Sequence, residues 1–142
     1  MKTWAVVVAV ALIAVAAFAA MHLMTPPPAE LDLSREKPSA QGIYVVSIEP
    51  DGEAVPQGAL HAWIATVATS QGEPVTDARI AVGGGMPGHG HGLPTAPEVT
   101  GHLGEGRYRI EGVRFNMGGH WVLDLAISAP AGDDEVSFDL ML

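Results

Sequence analysis

Trp121-Val122-Leu123-Asp124-Leu125-Ala126-Ile127-Ser128 is the stretch that decides the fold. Trp121, Leu123, Leu125 and Ile127 fall on one side of an extended chain; Val122, Asp124, Ala126 and Ser128 fall on the other. Successive side chains of a strand face opposite sides of the sheet, so this period of two predicts a half-buried antiparallel strand. The pattern spreads outward. Downstream, Val136, Phe138 and Leu140 alternate with Ser137, Asp139 and Met141. Upstream, Tyr108 and Ile110 alternate with Arg107, Arg109 and Glu111, behind a tight-turn signal at Gly104-Glu105-Gly106.

Further back the strands are apolar on both sides: a first over Ile43–Ile48, a second over Ala59–Thr69 with His61 and Trp63 sharing a face, a third over Val75–Val82, and a short fourth over Val99–Leu103. Pro50-Asp51-Gly52 and Ser70-Gln71-Gly72-Glu73-Pro74 separate them with turn chemistry. Seven short strands in about 100 residues, with turn signals between them, predict an all-β domain: an immunoglobulin-like antiparallel β-sandwich over residues 41–142. Its expected core is Ile64, Tyr108, Ile110, Trp121, Leu123, Leu125, Ile127, Val136, Phe138 and Leu140.

The N-terminus is different in kind. Lys2 is the only early charge, and Trp4 to Met21 are all apolar. As a helix that run is roughly 27 Å long at about 1.5 Å per residue, just enough for a bilayer core about 30 Å thick. Ala17-Phe18-Ala19 also reads as an export cleavage site before Ala20. Residues 1–24 are therefore expected to be one transmembrane or signal helix, and residues 25–40, which begin Thr25-Pro26-Pro27-Pro28, a semi-rigid linker. Either way the domain is expected outside the cytoplasm: a single-pass protein of a bacterial inner membrane with a periplasmic domain, or a secreted periplasmic one.

Composition narrows the chemistry. The chain has no cysteine, which excludes disulfides, thiolate metal sites and cysteine nucleophiles. Its net charge of −9 argues against a nucleic-acid partner, which needs a basic footprint. There is no Gly-x-Ser-x-Gly elbow and no His-Glu-x-x-His helix, so no enzyme is expected. Asp133-Asp134-Glu135 reads as a solvated turn, and Arg107, Arg109 and Arg114 as the outer face of a strand.

One segment could carry chemistry. Gly83-Gly84-Gly85-Met86-Pro87-Gly88-His89-Gly90-His91-Gly92-Leu93-Pro94-Thr95 holds two imidazoles and a thioether among six glycines. Gly83-x-Gly85-x-x-Gly88 matches the dinucleotide fingerprint in letters only, because that motif must open a helix and the prolines forbid one. The segment is expected to be a loop without regular structure. His89 and His91, two apart, share a side. A second cluster, Met117-Gly118-Gly119-His120, precedes the Trp121 strand. If both clusters lie at one end of the sandwich, Met86, His89, His91 and Met117 converge, with His120 or His102 in reserve. Imidazole with thioether suits copper, and zinc less well. The competing reading is a solvated turn with two methionines capping the core. His61 reads as structural, and His22 as interfacial.

Met86-Pro87-Gly88-His89-Gly90-His91-Gly92-Leu93-Pro94-Thr95, Val99-Thr100, Gly106-Arg107-Tyr108-Arg109-Ile110-Glu111-Gly112, Phe115-Asn116-Met117-Gly118-Gly119 and Trp121 together resemble the YtkA-like/FixH-like family of exported β-sandwich domains. The similarity covers about residues 42–130. It implies a membrane-anchored accessory domain that handles copper, with a membrane oxidase of the cbb3 type or another copper protein as partner. The positions it carries over are Met86, His89, His91 and Met117; His120 is the less secure fifth. The alternative expectation is a metal-free, membrane-tethered interaction module.

Overall fold

The computed structural model describes residues 30–142. The apolar run 4–21, its cleavage motif, His22 and the prolines at 26–28 lie outside the described residues. Among the described residues no helix is long and apolar enough to cross a membrane.

The domain is all-β and antiparallel, with nine strands rather than seven: β1 (Glu36–Pro38), β2 (Tyr44–Pro50), β3 (His61–Thr69), β4 (Arg79–Met86), β5 (His91–Gly92), β6 (Glu98–Gly104), β7 (Arg107–Val113), β8 (His120–Ala129) and β9 (Gly132–Met141). They form one sheet in the order β1-β2-β3-β7-β6-β4-β8-β9, with β5 added beside β4. Two well-paired groups meet at a single pair, Ala81 opposite Glu98. The far edges also meet: Ala40 N–H donates to Glu135 O at 2.8 Å, so the sheet nearly closes into a barrel. The expected pair of separate sheets is thus one rolled sheet with a narrow join.

The two extra strands have physical reasons. β1 falls inside the expected linker, but it is too short and too polar to show a period. It is held by pairing Lys37 with Val46 and by Arg35 O accepting from Ile48 N–H at 2.8 Å. Asp134 secures the turn that follows. This carboxylate is buried and accepts from Ser39 Oγ at 2.6 Å, Gln41 N–H at 3.0 Å, Ile43 N–H at 3.2 Å and Glu135 N–H at 2.9 Å. Burial alone would raise its pKa; the donations from Ser39, Glu135, Gln41 and Ile43 outweigh that, and it titrates below the ordinary aspartate range. The solvated-turn reading of Asp133-Asp134-Glu135 therefore fails at its middle residue.

The ten expected core residues are all buried. Tyr44, Trp63 and Phe115 fill the interior beside them. Ile64 is the exception in kind: it is buried on the other face of β3 from Trp63, outside the central cluster. Tyr108 spends its hydroxyl inside, donating to Val75 O at 2.6 Å and accepting from Ala78 N–H at 2.9 Å. This fixes the entry to β4. Gly104-Glu105-Gly106 does turn tightly, with Gly104 opposite Arg107 and Glu105 and Gly106 both at positive φ.

Candidate metal site

The glycine-rich segment is not an irregular loop. Gly83, Gly84, Gly85 and Met86 continue β4, and the three glycines pair with β8, Gly84 opposite Leu123 and Gly85 opposite Val122. Pro87–His89 forms one 3-10 turn, Gly90 reverses the chain at φ 67°, and β5 returns with His91 opposite Met86. Glycine is a poor strand former when nothing approaches it. Here the approach is the point. A Cβ on Gly84 would lie 2.1 Å from Val122 O, and one on Gly85 would lie 2.3 Å from His91 O. By contrast, Gly88 and Gly90 at the tip have open space around them. The segment is a small hairpin with a tightly packed stem and an open tip.

That tip carries the imidazoles. His89 and His91 are both exposed, and their ring centroids are 5.9 Å apart. His91 stands on the same face as Met86 and meets the Trp121 ring edge-on at 5.7 Å. Its Nδ1 lies 2.9 Å from Gly92 O. A carbonyl only accepts, so Nδ1 carries the proton and Nε2 keeps its lone pair; metal-bound histidines are commonly held this way. With metal–nitrogen bonds of about 2.0–2.1 Å, two imidazole centroids sharing one ion lie at most roughly 6 Å apart. The observed spacing falls within that reach.

The thioethers sit below. Met86 is buried, and its methyl lies 3.1 Å from where a Cβ on Gly119 would be. Met117 is half-buried against the core, and its carbonyl accepts from Trp121 Nε1 at 3.0 Å. The hairpin and the Met117–Gly119 loop therefore meet around Trp121. His120 goes elsewhere. It alternates with Trp121 along β8, so it occupies the opposite face, where its Nε2 contacts Asp139 Oδ1 at 2.7 Å. His102 lies on β6 with its ring on Tyr108, 4.6 Å between centroids. His61 packs beside Trp63 and Phe115, with Nδ1 donating to Ala59 O at 3.1 Å. Among the described residues no three His, Cys, Asp or Glu side chains are gathered to hold one ion, so a third donor at the tip would have to be sulfur.

A cavity of about 700 Å³ lies at the other end of β4 and β8, between Ala40, Arg79, Ala126 and Glu135. It touches none of these donors. What sequence reasoning missed is the role of Trp121 as a wall for His91. The signal was available: Met86 and Trp121 both belong to the inward-facing set.

Residues 39–126 match a protein-family profile described as YtkA-like. No curated protein and no solved structure gives a match.

Proposed function

Because the chain belongs to the YtkA-like family, we propose that it is an extracytoplasmic copper-binding accessory domain, tethered to or released from a bacterial inner membrane, that supplies copper to a membrane oxidase or another copper protein. We read the rolled sheet as an immunoglobulin-like sandwich whose two halves join at Ala81 and Glu98. His89 and His91 bind the ion, with Met86 and Met117 as sulfur donors; His120, engaged by Asp139 on the other face, is left out. Copper is cargo here, and no bond-making in a substrate is implied.

One observation carries this reading: two exposed imidazoles 5.9 Å apart at an open tip, one of them with its second nitrogen already donated to a carbonyl. The chemistry follows from the architecture. The stem is held by backbone contact closer than any side chain would permit, so the donors stay in register. The tip is open, so an incoming partner can take the ion by ligand exchange. Imidazole and thioether together favour copper over zinc.

The test is a copper titration, Cu(I) and Cu(II) separately, of the full chain in detergent. Replacing both His89→Ala and His91→Ala should weaken binding by more than the about 10–100-fold that loss of an outer-shell partner costs. Parent-like binding in that variant would sink the assignment. The second reading, a metal-free docking module on a membrane tether, draws on there being, among the described residues, no group of three His, Cys, Asp or Glu side chains that could hold one ion. It expects an unchanged melting temperature in excess copper, since a ligand that binds only the folded state raises stability.

A further inference from the structure

Met141 is out of character for its strand. Phe138 and Leu140 turn into the core, whereas Met141 is 53 % exposed, and methionine is a residue that usually buries itself. Its neighbour across the ladder is His120. Gly119 and Leu142 exchange both backbone hydrogen bonds, Gly119 N–H to Leu142 O at 2.8 Å and Leu142 N–H to Gly119 O at 3.1 Å. The next pair along, His120 and Met141, is therefore of the non-hydrogen-bonded kind, in which side chains stand closest. Their Cβ atoms are about 4.5–5.5 Å apart in such a pair.

Asp139 is the diagonal neighbour on the same face and fixes the imidazole. It is acceptor-only, so His120 Nε2, 2.7 Å from its Oδ1, is the protonated nitrogen and Nδ1 holds a lone pair. A carboxylate behind one nitrogen orients the ring and makes the other a better ligand. The carboxylate's second oxygen faces Lys37 Nζ at 3.8 Å, which in turn reaches Asp32 at 3.3 Å, so Asp139 is held from both sides.

We propose that His120 Nδ1 and Met141 Sδ form a second binding site for a soft monovalent cation of the Cu(I) class, on the outer face of the β8–β9 hairpin, with Asp139 as the positioning residue. The site is separate from the hairpin tip, because His120 and Trp121 face opposite sides of β8. Thioether plus a single imidazole selects a soft ion over zinc or calcium. A two-donor site releases its ion easily and suits a station where cargo is handed on. The choice of cargo rests on the copper reading above; the donor pair does not.

The experiment uses the full chain in detergent, labelled with ¹³C at the methionine methyls, and titrates Ag(I) as a redox-inert probe. The Met141 signal, assigned by its disappearance in Met141→Leu, should shift and saturate in the parent and equally in the His89→Ala, His91→Ala variant. Met141→Leu keeps the side chain's bulk at an exposed position, so its melting temperature should match the parent's. In that variant the Ag(I) stoichiometry should fall by one, and the His120 ring signals should stop responding. Movement of Met86 and Met117 with Met141 silent would overturn the second site while leaving the tip reading intact. Movement of Met141 alone would support the second site and count against the tip.

Discussion

Two adjacent glycines in the hairpin stem should respond in opposite ways to the same substitution. In Gly84→Ala the new methyl would sit 2.1 Å from Val122 O, 3.0 Å from Val122 C and 3.2 Å from Leu123 Cα. All three are backbone atoms of a central strand, so none can swing aside. Gly84 also has φ 138°, a conformation that is essentially glycine's own. Overpacking costs about 1–3 kcal/mol, and holding a side chain at that φ costs a further ~1–3 kcal/mol. The sum, about 2–6 kcal/mol, is a large part of the stability of a small domain. At about 4 °C per kcal/mol it lowers Tm by roughly 8–24 °C. Gly83→Ala differs in both respects: nothing lies within 4 Å of its Cβ, and its φ is outside the positive range. Replacing that glycine removes freedom from the unfolded chain and should stabilise by about 0.4–1 kcal/mol. Thermal unfolding of both variants by circular dichroism checks this. Melting temperatures within about 3 °C of each other, on the same scale, would mean that β4 and β8 are not in the close backbone contact on which the stem depends.

Two further outcomes concern the seam between β1 and β9. Asp134→Asn should destabilise the domain most near pH 6. Because the folded pKa lies below the unfolded one, the carboxylate's contribution is fully present above the unfolded value and is lost as pH falls through the folded value. The Tm difference between parent and variant should therefore shrink below pH ~4, and a difference constant from pH 6 to pH 3 would refute the role. A chain starting at residue 40 lacks β1 and Ser39, and with them the Ile48–Arg35 and Ser39–Asp134 hydrogen bonds. It should melt below a chain starting at residue 30, and equal melting would show that β1 is dispensable.

Much of the fold was legible because it is written in alternation. β7, β8 and β9 bury one face and expose the other, so their register appears in the letters. Tyr108, Trp121 and Phe138 could be placed inside before any coordinates. β1 was not legible. Glu-Lys-Pro has no apolar face, and its strand character comes wholly from its neighbour β2. Asp134 was hidden for a related reason. A carboxylate in an acidic turn looks solvated until the chain more than 90 residues earlier, at Ser39 to Ile43, supplies three donors to it.

The hairpin shows why glycine misleads. Read by propensity, three consecutive glycines end a strand, since each weakens it and packs nothing. That argument assumes space that side chains could fill. At Gly84 and Gly85, between β4, β5 and β8, there is none, so the residue that is worst in isolation is the only one that fits there. The same closeness separates the donors. Met86, at the top of the packed stem, is drawn into the core beside Gly119, whereas the side chains of His89 and His91 are released to the surface. On the proposed copper reading, the two kinds of donor would therefore approach the ion from different directions, sulfur from beneath and nitrogen from outside. Met86→Leu should accordingly leave the fold intact, because it keeps the buried bulk, and should selectively weaken Cu(I). Cu(II), which relies on the imidazoles, should be held nearly as before. Equal loss for both oxidation states in the same titration would mean that Met86 supports the hairpin rather than the ion.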